Sequence, residues 1–164
     1  MSNMNVTNVV VAGLGGQGVV KASDILADAA FRAGLDVKKS EIHGMSQRGG
    51  SVASDVRFGT HVHSPMITRG EADCLLVVAP DQVDVNRHVL KPDGVLVCPD
   101  ALENAGKIQS KSINVALLGV LSAHLDLPVG LWEDAIKANL TEKHHKLNIE
   151  AFHRGRDVAL AASK

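Results

Sequence analysis

Val9-Val10-Val11-Ala12-Gly13-Leu14-Gly15-Gly16-Gln17-Gly18 is the stretch on which the fold turns. Three β-branched residues and an alanine form a short continuous apolar run, the pattern of a strand buried on both faces. The run stops at Gly13, and glycines follow at 15 and 18, the spacing G-x-G-x-x-G. Beyond them Val19, Ala22, Ile25, Leu26, Ala29 and Ala30 recur at helical spacing, which predicts a helix over 18–33. Gly34 stands where a C-cap glycine belongs. Residues 36–42 form a second strand candidate with Val37 and Ile42 its only strong apolar residues. Strand, turn, helix, strand is a crossover unit, and such units normally join parallel strands.

Outward from this unit the pattern continues. Residues 51–58 alternate as a half-buried strand, and 60–64 are extended up to Pro65. Residues 72–79 are a second continuous apolar strand, and Pro80 opens a helix to about residue 90. Pro92-Asp93-Gly94 signals a turn before the buried strand Val95-Leu96-Val97-Cys98. Residues 113–125, 131–140 and 142–162 read as helices, broken at Leu127-Pro128 and Thr141. The expected architecture is a three-layer, Rossmann-like α/β fold: a mostly parallel sheet, flanking helices and a helical C-terminal third. All 164 residues are read as a single domain.

Composition narrows the function. Aromatic residues make up 2% of the chain, so the platforms on which nucleic-acid bases stack are scarce. A net charge of -1 with no run of one sign suggests neither a phosphate-tracking nor a membrane-binding surface. No basic segment followed by an apolar run opens the chain, so no signal peptide and a cytoplasmic location are expected. Cys74 and Cys98 lie in apolar runs and suit a reducing compartment. Two cysteines cannot ligate an iron–sulfur cluster, which takes four.

The glycine turn carries the first functional hypothesis. Gly13 permits the tight turn, Gly15 lets backbone N–H groups approach an anion, and Gly18 lets helix and strand pack closely. A helix N-terminus adds unpaired donors and positive potential. A phosphate, pyrophosphate or carboxylate is the expected guest at Gly13, Gly15, Gly16, Gln17 and Gly18; the bland alternative is a turn that binds nothing. Gln17 can bond a ligand or brace the loop. A nicotinamide cofactor would require an acidic residue at the end of the second strand, where Glu41 stands, but Lys38, Lys39 and Ser40 make that strand unusually polar.

The loop His43-Gly44-Met45-Ser46-Gln47-Arg48-Gly49-Gly50-Ser51 is the densest polar segment. It should leave the sheet at the same end as the glycine turn and share its crevice. Arg48 has the fork for a phosphate or carboxylate, Gly49 and Gly50 permit close backbone approach, and Ser46, Gln47 and Ser51 add neutral polar groups. Contact with another subunit explains the same residues equally well. His43 as a general base is the weaker reading of a lone histidine. His61 and His63 share a face, but no third metal ligand is identified. No catalytic residue and no metal site are assigned.

Taken in order, these segments resemble the gamma subunits and gamma domains of 2-oxoacid:ferredoxin oxidoreductases. The matching runs are residues 10–19, Ser46-Gln47-Arg48-Gly49-Gly50-Ser51-Val52, Val56-Arg57-Phe58-Gly59, Ser64-Pro65-Met66-Ile67, Gly70-Glu71-Ala72-Asp73, residues 114–119 and residues 148–155. His43-Gly44-Met45-Ser46-Gln47-Arg48-Gly49-Gly50 looks most like the beta subunit of the indolepyruvate branch. The resemblance implies a pyruvate/ketoisovalerate oxidoreductase gamma-type domain, inactive alone. It implies thiamine diphosphate and iron–sulfur clusters on partner subunits, ferredoxin as acceptor through the complex, and coenzyme A as a co-substrate that this chain contacts. Neither nucleic acid nor membrane is an expected partner, and the isolated subunit can form a homodimer. Two other readings remain open: an autonomous nicotinamide-dependent dehydrogenase and a regulatory nucleotide-binding module.

Overall fold

A computed structural model describes residues 6–43 and 49–163. Five strands, β1 (Val6–Leu14), β2 (Asp36–His43), β3 (Ser51–Gly59), β4 (Ala72–Val77) and β5 (Leu90–Val97), form one sheet in the order β2-β3-β1-β4-β5. The helices are α1 (Val19–Arg32), the short α2 (Val83–Asn86), α3 (Ile113–Ser122), α4 (Val129–Asn139) and α5 (His145–Ala162). β1 is the centre: Val9, Val10, Val11 and Ala12 are buried, as the continuous apolar run requires.

The crossover unit does not close as a neighbouring parallel pair. β1 and β2 run in the same sense, but β3 lies between them and is antiparallel to both. β1, β4 and β5 are parallel neighbours. The polarity of β2 now has a cause, because β2 is an edge strand with its end exposed. The predicted turn at Pro92-Asp93-Gly94 is instead an irregularity within β5. Ala72 pairs with Leu90 and Cys74 with Val95, so the extra residues bulge out between the two pairs.

The two faces of the sheet are covered unequally. α1, α3, α4 and α5 contribute to the larger core with Val9, Val11, Val56 and Leu76. Trp132 and Phe152 meet inside it, with ring centroids 5.5 Å apart and no exposed surface. They close the core of the domain. The opposite face buries Val10, Ala12, Leu75 and Val77 under short helical turns and an extended strap, residues 60–67. Charged side chains of β2 and β3 hold the strap: Val62 N–H donates to Asp36 at 2.8 Å, Arg57 donates to the Ser64 carbonyl at 2.8 Å, and Ile67 N–H donates to Asp55 at 2.9 Å. Burial pushes the Asp55 carboxyl above its ordinary range, partly offset by that Ile67 N–H. The Val62 N–H holds the Asp36 carboxyl below its ordinary range. At the same end of the sheet Asp73 accepts from Asn8 N–H at 2.8 Å and from Lys91 at 2.7 Å, tying β1, β4 and β5 together.

The cysteines are free: Cys74 is buried and Cys98, just past β5, only half-buried. Burial pushes the Cys74 thiol up to about 11 from its ordinary 9.0. The folded chain therefore keeps a proton that the unfolded chain loses as pH passes 9.0. The stability contributed by this group is intact below pH 9.0 and declines between 9.0 and about 11. A disulfide reagent at pH 8 should modify Cys98 in the native protein and reach Cys74 only on unfolding. Equal reaction of both thiols in the native state would contradict this.

Candidate functional site

The C-terminal ends of β1 and β4 and the N-terminal end of β3 meet at one rim of the sheet. The antiparallel register of β3 creates the junction, because Leu14 pairs with Ser51 at the last step of the ladder. The Gly15 N–H donates to the Gly50 carbonyl at 2.8 Å, so the glycine turn and the Gly49-Gly50 segment are in direct contact. A side chain at Gly15 would bring its Cβ to 3.1 Å from the Gly49 nitrogen. Close backbone approach is what Gly15 provides, and the approaching backbone is that of this chain itself.

The other glycines divide the work. At Gly13 a Cβ would sit 2.9 Å from both Gln17 Oε1 and a Val19 methyl. Gly18 is the N-cap of α1 with φ 78°, a left-handed conformation that glycine adopts without strain. Gly16 (φ 87°) and Gly49 (φ 91°) are also left-handed, and both border open space. Gln17 turns inward: its Oε1 accepts the Leu14 N–H at 2.7 Å, while its own N–H donates to the Leu14 carbonyl at 3.2 Å. The side chain braces the loop. Ser51 donates its hydroxyl to Gln82 Oε1 at 2.9 Å, linking the start of β3 to the turn after β4. Asn114, at the start of α3, donates to the Gly18 carbonyl at 3.1 Å.

Of the residues singled out in the sequence, Gly13, Gly15, Gly16, Gln17, Gly18, Gly49, Gly50 and Ser51 are brought together here. Ser46, Gln47 and Arg48 lie outside the described residues. Asn114 and Gln82 were missed as members of the rim. A lone Asn at the head of the apolar run 113–121 was the available signal for the first; nothing local marked the second. Gln17, Ser51, Gln82 and Asn114 are neutral groups that donate and accept hydrogen bonds at this rim. Among the described residues no three His, Cys, Asp or Glu side chains come together as a metal site. His61 and His63 stack edge to face with ring centroids 4.6 Å apart.

Glu41 does not stand where a nicotinamide ribose would need it. In dinucleotide folds the acidic residue lies on the strand beside the glycine-bearing one. Here β3 occupies that position, and β2 is about 10 Å from β1, two strand spacings. Glu41 is instead bound to Lys39, which holds its carboxyl below the ordinary range. His43 is an exposed neighbour of Glu41, 3.7 Å from it. A cavity of about 340 Å³ borders the start of β3 at Ser51 and Val52, with Ile42 and Asn86 on its other sides. Another of about 650 Å³ is at the opposite end of the sheet, bordered by Asp73, Cys74, Lys91 and His124.

Fold and rim together define an α/β domain with a mixed sheet and a glycine-lined edge. Residues 8–158 match the model of the family described as pyruvate ferredoxin/flavodoxin oxidoreductase, and the chain belongs to that family. It is 33% identical over 193 aligned positions to the indolepyruvate oxidoreductase subunit IorB of Archaeoglobus fulgidus, covering 94% of this chain and 96% of that protein. The crystal structure of a keto/oxoacid ferredoxin oxidoreductase gamma subunit from Geobacter sulfurreducens superposes with a TM-score of 0.78 at 26% identity, covering 97% of this chain and 99% of that one. A 2-oxoglutarate:ferredoxin oxidoreductase from Magnetococcus marinus, solved with 2-oxoglutarate, coenzyme A and succinyl-CoA bound, shares the fold at a TM-score of 0.78 and 21% identity. That match covers 97% of this chain and 32% of the other. No helix among the described residues is long and apolar enough to cross a membrane.

Proposed function

We propose that this chain is the accessory, gamma-type subunit of a heteromeric 2-oxoacid:ferredoxin oxidoreductase, inactive alone and located in the cytoplasm. The reaction would convert a 2-oxoacid and coenzyme A to an acyl-CoA and CO2, releasing two electrons to ferredoxin and one proton. End-to-end similarity to IorB, itself a subunit, carries this reading. The same similarity, with the run His43 to Gly50, favours an aryl pyruvate such as indolepyruvate. Thiamine diphosphate and the clusters would reside on partner chains, since two cysteines are half of a four-cysteine ligand set. The role of this chain would be to present the rim to coenzyme A, with the Arg48 guanidinium and the glycine-lined backbone meeting phosphate groups.

Co-expression with a thiamine-binding partner subunit tests the reading. The two chains should co-purify, and the complex should reduce a viologen dye only when both 2-oxoacid and coenzyme A are present. The isolated chain should show no turnover. Nicotinamide-dependent turnover by the isolated chain would overturn the proposal in favour of a dehydrogenase. Tight nucleotide binding with no partner would favour a regulatory module.

A further inference from the structure

We infer that Asn114 is a positioning residue of the coenzyme A rim, acting through the Gly18 peptide; the inference rests on the function proposed above. Asn114 is 7% exposed and is followed in α3 by Val115, Ala116, Leu117 and Leu118, all buried. A buried amide in apolar surroundings is tolerated when its polar atoms are partnered. Its Nδ2 spans 96 residues of sequence to reach the Gly18 carbonyl at 3.1 Å. The same carbonyl accepts the Ala22 N–H at 2.9 Å, the bond that starts α1. Gly18 has no side chain with which to cap its helix. A Cβ on Gly18 would also collide with the Asn114 amide, so each residue is fitted to the other.

The consequence follows from peptide geometry. In a planar trans peptide the carbonyl and the following N–H point in opposite directions. Fixing the Gly18 carbonyl toward α3 therefore fixes the Val19 N–H, one of the α1 donors with no partner within the helix. Asn114 thus sets the direction of a backbone donor at the rim without touching a ligand there.

Asn148 supplies a matched control. It is also 7% exposed and lies in a helix, but its amide donates locally to the His144 carbonyl. Asn114→Leu and Asn148→Leu should be made in the co-expressed complex. Asn114→Leu should raise the KM for coenzyme A about tenfold with kcat within about twofold, the size expected from losing one well-placed contact. Asn148→Leu should leave that KM unchanged. In the isolated chain, amide exchange at Ala22 should accelerate in Asn114→Leu and not in Asn148→Leu. Faster exchange with an unchanged coenzyme A KM would reduce Asn114 to a structural role and overturn the inference. Unchanged exchange would overturn it at its first step. If the wild-type complex shows no coenzyme A-dependent turnover, the proposed function fails, and the exchange result alone then decides whether Asn114 positions the turn.

Discussion

Gly119→Ala and Gly155→Ala should each cost about 3 kcal/mol or more, the upper range for overpacking a core. α3 and α5 cross with backbone against backbone. A Cβ on Gly119 would run into the Phe152 carbonyl and lie 2.9 Å from the Arg156 nitrogen. A Cβ on Gly155 would run into the Ala116 carbonyl and lie 3.3 Å from the Val120 nitrogen. The two contacts are reciprocal, and neither involves a side chain that can rotate away. Alanine normally favours a helix over glycine by about 1 kcal/mol, so propensity alone predicts stabilisation. The clash is the larger effect and sets the sign. A chain of this size should lose about 10 °C of melting temperature for such a change. Gly130→Ala is the counter-case, because a Cβ there meets nothing within 4 Å. It should leave the melting temperature unchanged or raise it slightly. Thermal unfolding of the three variants decides the matter: wild-type stability in Gly119→Ala would rule out the close crossing.

Gly15→Val should abolish most coenzyme A-dependent turnover of the complex while leaving the chain folded. The first added carbon already stands 3.1 Å from the Gly49 nitrogen, and the two methyls of valine must go further. The 2.8 Å bond between Gly15 N–H and the Gly50 carbonyl then has to break or lengthen. The two walls of the rim separate, and the Gly16 and Gly49 peptides lose their mutual setting. A loss of kcat/KM of roughly a hundredfold corresponds to about 2.7 kcal/mol of misplaced contacts. Steady-state kinetics on the purified complex read the effect, and circular dichroism on the isolated variant checks the fold. A kcat/KM within a few-fold of wild type would separate the rim from coenzyme A.

The sequence made some of this plain and hid the rest for physical reasons. β1, β4 and α1 were legible because continuous apolar runs and a 3.6-residue period survive in any environment. The contact of the glycine turn with Gly49-Gly50 was legible because strand direction dictates which loops share an edge. The place of β3 was not: alternation in residues 51–58 reports one buried face and says nothing about which strands lie on either side. The polarity of Lys38, Lys39 and Ser40, which looked anomalous for a buried second strand, was the signature of an edge. The bulge in β5 was read as a turn because Pro-Asp-Gly looks the same in either setting until the pairing of β4 is known. Gln82 could not be found from sequence, since its contact with Ser51 depends on how two distant turns meet.

The insertion of β3 also divides the chain into parts that can change independently. β2 and β3 form a local antiparallel hairpin, whereas β1, β4 and β5 are joined through long parallel crossovers. Loops of hairpins accept length changes that a crossover helix packed on the core does not. The alignment with IorB runs to 193 positions against 164 residues here, so gaps separate the two chains. Gly49 and Gly50, at the end of the hairpin connection, form one wall of the rim, and the parallel strands support the other. Such a layout lets the length of one connection change while the framework that holds Gly13 to Gly18 remains untouched.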